Sequence, residues 1–355
     1  MTALPDLAAF HARLALLAAE DRFSGAVTAT SRGEQIFAAA YGYASRAWKA
    51  PCRLDTRFDI ASITKLFTAV ATLQLVERGE FGLDTSVVDY LELAGTTISP
   101  VVTPYHLLTH TSGIADDADE EAGERYEDLF VAEPNYSFTQ TADQLPHFVT
   151  KPPNFPPGQG CRYCNGGYLL LGLMIERATQ AQYRDFVRAN VFGPAGMTRS
   201  GFFRMDVVEP DVAEGVEPIL SADQRIVGWR RNIYSYPPIG DPAGGAYVTV
   251  GDLLAFHRAL VAGRLLGPEL TRAMLIPHEV HSRKPELTRM TGYGFEFTVN
   301  ANDRLRCYQK EGVNVGVSGM LRHYPDHDLT LAILGVGEDA VWEPVAAFDA
   351  AVPIG

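Results

Sequence analysis

The chain has 355 residues, 46% of them apolar and 21% charged, ordinary globular values that exclude a disordered, collagenous or coiled-coil protein. Thirty Lys and Arg against 43 Asp and Glu leave a net charge of −13 with no run of basic residues, so nucleic acid and anionic membrane are poor partners. The length suggests two structural units, or one domain carrying an insertion.

Residues 1–20 carry no cationic leader, place Asp6, His11 and Arg13 inside their apolar stretch and offer no small-residue cleavage site, the pattern of a chain without a secretion signal. The four cysteines are too few for a disulfide scaffold, and a cytoplasmic location is the expectation. No stretch reaches the roughly 18 apolar residues of a membrane span. Leu7, Phe10, Leu14 and Leu17 recur at helical spacing and predict an amphipathic helix over 5–20. Strands at 25–30 and 35–41 flank a turn in which Gly33 can take a positive φ. Residues 62–78 are apolar nearly all round and stop at Gly79, which predicts a central buried helix.

From 80 to 230 strand alternation is scarce, Pro and Gly loops are frequent, and helical patterns fall at 167–180 and 183–191. A helix over 250–262 follows. Tyr293, Phe295, Phe297 and Val299 then alternate with Gly294, Glu296 and Thr298, further strands fit 304–311, 316–324 and 328–335, and a last helix fits 340–350. The distribution predicts an α/β (α+β) fold: an antiparallel sheet built from both chain ends and flanked by terminal helices. Residues 1–80 and 231–355 would form that sheet domain, and 81–230 an inserted, mainly helical one.

Ser62 and Lys65, three residues apart at the start of the buried helix, share a face. They supply a nucleophile and a base, provided that burial or nearby positive charge lowers the lysine pKa. The helix start adds free backbone N–H groups where an oxyanion would form. Two further segments place polar groups on loops or turns: Tyr163-Cys164-Asn165 before a helix, and Lys310-Glu311-Gly312 at the end of a strand with Val313 to Gly316 turning into the next.

These three segments, in this order, resemble the Ser-x-x-Lys, Tyr-x-Asn and Lys-x-Gly signatures of the serine β-lactamase and penicillin-binding-protein superfamily, and within it the class C-like enzymes and related esterases. The resemblance runs from about residue 23 to 335 and includes His106-Leu107-Leu108-Thr109-His110-Thr111-Ser112-Gly113 and Pro242-Ala243-Gly244-Gly245-Ala246-Tyr247. It implies a serine hydrolase in which Ser62 forms an acyl-enzyme and Lys65 with Tyr163 shuttles the proton. The N–H groups of Ser62 and Val313 would form the oxyanion hole, and Asn165 would hold the substrate carbonyl or amide. Lys310 would keep Tyr163 acidic and attract anionic groups, with Gly312 beside it in the substrate-binding strand. No metal or organic cofactor is implied.

Two positions depart from the family pattern. Glu311 stands where a small or hydroxyl residue helps to bind the substrate carboxylate, and Cys164 stands where Ser is common. A carboxylate at 311 repels anionic substrates unless strand alternation turns it away, which favours a small neutral ester or amide as the partner. β-Lactamase, D-amino-acid-specific peptidase and acyltransferase share the same machinery, and a non-catalytic ligand-binding member of the fold is the alternative of another class.

Other chemistry finds less support. No serine has glycines at −2 and +2, as α/β-hydrolases require. Cys161 and Cys164 with Cys52 and Cys307 make one close pair rather than the two of a zinc site. His278, His281, His323 and His327 read as surface residues. The acidic stretch 116–128, with eight carboxylates and Arg125, reads as a solvated loop, or more sharply as a negative rim to the cleft. Tyr105, Tyr126, Tyr136 and Tyr234 are candidates for an acyl pocket.

Overall fold

The computed structural model describes residues 7–352; positions 5 and 6 of the helix expected over 5–20, and the first six residues of the leader reading, lie outside them. Eight strands form one antiparallel sheet: β1 (Gly25–Ser31), β2 (Glu34–Tyr41), β3 (Glu279–Lys284), β4 (Leu287–Thr291), β5 (Glu296–Asn300), β6 (Leu305–Asn314), β7 (Val317–Tyr324) and β8 (Leu329–Val336). Their spatial order is β2-β1-β8-β7-β6-β5-β4-β3. The join between the chain ends is the β1/β8 pair, which runs from Gly25 opposite Gly335 to Ser31 opposite Leu329. Arg32 and Gly33 both have positive φ (53° and 80°), so the first hairpin closes with the two left-handed residues that match strand twist.

Strand β8 is buried along its whole length because helices cover both faces of the sheet. On one face, α1 (Ala8–Ala19) and α5 (Trp342–Ala351) bury Phe10, Leu14, Leu17, Val345 and Phe348 against Val27, Ala29, Leu331 and Ile333. On the other lie α2 (Lys65–Glu77) and α4 (Val250–Val261), with Leu66, Val70, Phe256 and Leu260 in one core with Ala26, Leu321 and Leu334. Helix α2 is buried continuously from Lys65 to Leu75, and α3 (Asn165–Thr179) packs beside it. No described helix is long and apolar enough to cross a membrane.

Several elements differ from expectation. The helix expected over 62–78 begins as a 3₁₀ turn, Ala61–Thr64, and becomes α-helical only at Lys65. Strand β6 continues to Asn314, so Lys310 to Val313 lie within a strand and only 315–316 turn. Within 80–230 a hairpin pairs Val216–Leu220 with Ile226–Arg231, and Pro268–Met274, β3 and β4 also form where no element was expected. The hairpin leaves Ile219, Leu220, Ile226 and Val227 exposed, and β3 and β4 carry Arg283, Lys284 and Arg289, so no apolar alternation marks these strands. His323 is buried rather than superficial: its ring lies 4.8 Å from that of His257, and its Nδ1 is 2.9 Å from Thr330 Oγ1. His278 stacks on Tyr293.

Candidate active site

The 3₁₀ turn carrying Ser62 is set by the residues before it. Ala61 has φ +42°, unusual for a residue with a side chain, and the buried Asp59 carboxylate accepts its N–H at 2.7 Å. Residues three apart stack in a 3₁₀ turn, which aligns Lys65 with Ser62. The Lys65 ammonium, with no exposed surface, donates to Ser62 Oγ (3.0 Å), Asn165 Oδ1 (2.7 Å) and the Ala243 carbonyl (2.6 Å). Burial first, and then the charge of Lys310, lower its pKa to about 8, against the opposing pull of Glu120, Asp116 and Asp241.

Tyr163 donates its hydroxyl to Ser62 Oγ at 2.7 Å from the other side. Its phenol is held well above the ordinary value, by burial first and then by Glu120, so it is a proton donor at neutral pH. The expectation that Lys310 makes this phenol acidic is therefore corrected. Lys310, 1% exposed, is ion-paired with Glu296 at 2.6 Å. Both lysine ammonium groups lie 4.9 Å from the Tyr163 ring centroid. His110, its ring 4.7 Å from that of Tyr163, accepts the Cys164 N–H at Nδ1 and is kept neutral by burial and the two lysines.

Two cavities meet at Ser62, Glu120 and Val313. The larger, about 270 Å³, is bordered by Tyr163, His110, His281, Arg289, Lys310 and Glu311. The smaller, about 60 Å³, is bordered by Asn165, Tyr126, Tyr236, Ile239 and Gly244. Ser62, Lys65, Tyr163, Asn165, Lys310 and Val313 thus converge from three distant segments. Gly312 borders neither cavity: a Cβ there would stand 2.0 Å from the Ile60 carbonyl oxygen, so its part is to let β6 press against the serine turn. Asn165 also differs from expectation, since its Oδ1 already accepts from Lys65 and its Nδ2 lies 3.3 Å from Glu120 Oε1.

Glu311 faces the larger cavity with no hydrogen-bond partner among the described residues, and burial raises its pKa. Strand alternation does not turn it away. The acidic stretch is a built part of the site rather than a solvated loop alone. Asp116 and Asp117 are buried, Asp119 binds Arg162, Glu120 borders both cavities and Glu121 accepts the Tyr163 N–H. Cys164 acts as the cap of α3, its sulfur accepting the Gly167 N–H at 3.3 Å, the task a Ser hydroxyl performs elsewhere. Of the tyrosine candidates, Tyr126 borders the smaller cavity, Tyr105 bonds Glu279, and Tyr136 and Tyr234 are exposed. Tyr236, Asp59 and Glu296 were not singled out from the sequence; none sits in a recognisable motif. The four cysteines are unpaired, and no group of three or more His, Cys, Asp or Glu among the described residues is arranged to hold a metal.

Comparison with known proteins identifies the family of the chain. The Beta-lactamase family model matches residues 10–350. Penicillin-binding protein 4* of Bacillus subtilis (strain 168) is 26% identical over 336 residues, 91% of this chain and 70% of that protein. Esterase EstB of Burkholderia gladioli is 37% identical over 189 residues, 52% of this chain and 48% of that one. The crystal structure of a penicillin binding protein from Bacillus halodurans superposes with a TM-score of 0.87 at 35% identity, covering 97% of this chain and 100% of that one. The chain belongs to the Beta-lactamase family.

Proposed function

From membership of this family of serine hydrolases, we propose that the protein hydrolyses a small neutral ester or amide through an acyl-enzyme at Ser62. Lys65, as free amine, takes the hydroxyl proton while Oγ bonds to the acyl carbon. The oxyanion that forms faces the backbone N–H groups of Ser62 and Val313. As the intermediate collapses, Tyr163 gives its proton to the departing oxygen or nitrogen and is reprotonated from Lys65. Water, deprotonated by the same pair, then attacks the acyl carbon, and the serine oxygen leaves with the returned proton. The pair of hydrogen bonds converging on Ser62 Oγ, from Lys65 and from Tyr163, carries the reading.

Substrate class rests on Glu311. An unpaired carboxylate in the larger cavity, with Glu120 and Glu121 beside it, opposes the carboxylate of penicillins and D-alanyl peptides. The esterase relative supports an ester as the substrate. Four unpaired cysteines suit a reducing, cytoplasmic setting.

The test is to treat the protein with a fluorophosphonate, weigh the intact chain, and compare rates on p-nitrophenyl acetate, a chromogenic cephalosporin and a D-alanyl amide. A single adduct on Ser62 and the largest kcat/KM on the ester are expected. A larger value on the cephalosporin overturns the substrate class, and neither adduct nor turnover replaces the enzyme with a ligand-binding member of the fold.

A further inference from the structure

Asp116, outside all three motifs, is 4% exposed, and its carboxylate grips the start of α3. Oδ2 accepts the N–H of Asn165 and Oδ1 that of Gly166, each at 2.8 Å, and the Cys164 thiol points at Oδ1 from 3.7 Å. These are the first free amides of the helix, where a negative charge is best placed. The neighbouring Asp117 is also buried, accepts only the adjacent Ala118 N–H through its side chain, and leaves its Oδ2 without a partner. Burial raises the pKa of both carboxyls and raises Asp117 further, so of the two Asp116 holds a charge more readily. Lys151 pins both residues from outside by donating to their backbone carbonyls at 2.8 and 2.7 Å.

Two consequences reach the reacting atoms. Clamping the Asn165 N–H fixes the residue whose Oδ1 accepts from Lys65, and with it Tyr163 two residues earlier. The Asp116 charge also acts on Lys65 across the buried interior, beside Glu120 from the same loop, Asp241 from the turn before Ala243 and Lys310 from β6, with the Tyr163 and Tyr168 rings packed on the ammonium. We propose that Asp116 is a positioning residue for the acyl-transfer step, holding the Tyr163–Asn165 segment against Lys65. The inference rests on the serine hydrolase reading above.

Asp116→Asn keeps the shape but turns an amide NH₂ toward one of the helix N–H groups. The expected result is a fall in kcat on p-nitrophenyl acetate of about 10- to 100-fold, as for a small misplacement of reacting groups, with little change in KM. The acidic limb of the kcat/KM profile should also move to lower pH, because a charge that favours protonated Lys65 is gone. A purely structural residue would lower the rate without moving that limb. Full activity, or a fallen rate with an unmoved limb, overturns the proposal.

Should Asp116→Asn fail to fold, Lys151→Met loosens the same loop while leaving the Asp116 charge in place. There kcat should fall several-fold with the limb unmoved, and an unchanged kcat overturns the proposal. A wild-type protein that takes no fluorophosphonate and turns over no ester defeats the underlying serine hydrolase reading instead, so the two failures are distinct.

Discussion

Ser62 Oγ lies between two proton carriers that burial drives in opposite directions: it discharges the lysine and keeps the phenol protonated. Lys65 must lose its proton to serve as base. With its pKa lowered to about 8, activity should be low below that pH and rise through it, and a kcat/KM profile on p-nitrophenyl acetate checks the position of the limb. Ser62→Ala and Lys65→Ala should each lose about 10³-fold or more in kcat, since nucleophile and base act as a unit; steady-state rates at pH 9 measure this. Glu311→Thr removes the unpaired carboxylate and should raise kcat/KM on carboxylate-bearing substrates relative to the neutral ester, by about 10-fold for roughly 1.4 kcal/mol of lost repulsion.

Ser62, Lys65 and Tyr163 could be singled out in the sequence because short fixed spacings mark them. Asp116 and Glu120 lay hidden in a run of eight carboxylates, where nothing local separates a residue that folds inward from one that faces water. Glu296 gave no sign either, since its tie to Lys310 crosses two neighbouring strands.

At the scale of elements, the serine turn and β6 touch through Gly312. Gly312→Ala should cost about 1–3 kcal/mol of stability, the usual price of overpacking, and most of the activity, because the obstructing atom is the backbone oxygen of Ile60. Gly33→Ala offers the contrast. Its positive φ makes it cost about 1–2 kcal/mol, but nothing lies within 4 Å and the turn is remote from the site, so kcat should stay unchanged. Denaturation midpoints and ester kinetics on both variants separate the two effects. Elements with a strong apolar period, such as α4 and β8, were legible to within a few residues. Strands β3 and β4 were not, because Arg283, Lys284 and Arg289 interrupt the alternation, and β4 is held by pairing with β5 and β3 by pairing with β4.

Over the whole molecule, the net charge of −13 and the carboxylates at the cleft act together. Salt screens exposed charges beyond about 8–10 Å. Raising ionic strength should therefore increase kcat/KM for an anionic ester and leave a neutral one unchanged, which a salt titration with matched p-nitrophenyl substrates reads directly.

The pairing of β1 with β8 brings residues about 300 positions apart into register, and the serine turn leans on β6, another distant segment. Such pairing has a high contact order and forms late. A chain still emerging from the ribosome thus holds Ser62, Lys65 and Tyr163 long before it holds the strand that completes their surroundings. Hydrolytic competence should arrive abruptly with the last strands of the sheet, and a chain cut before residue 329 should have none.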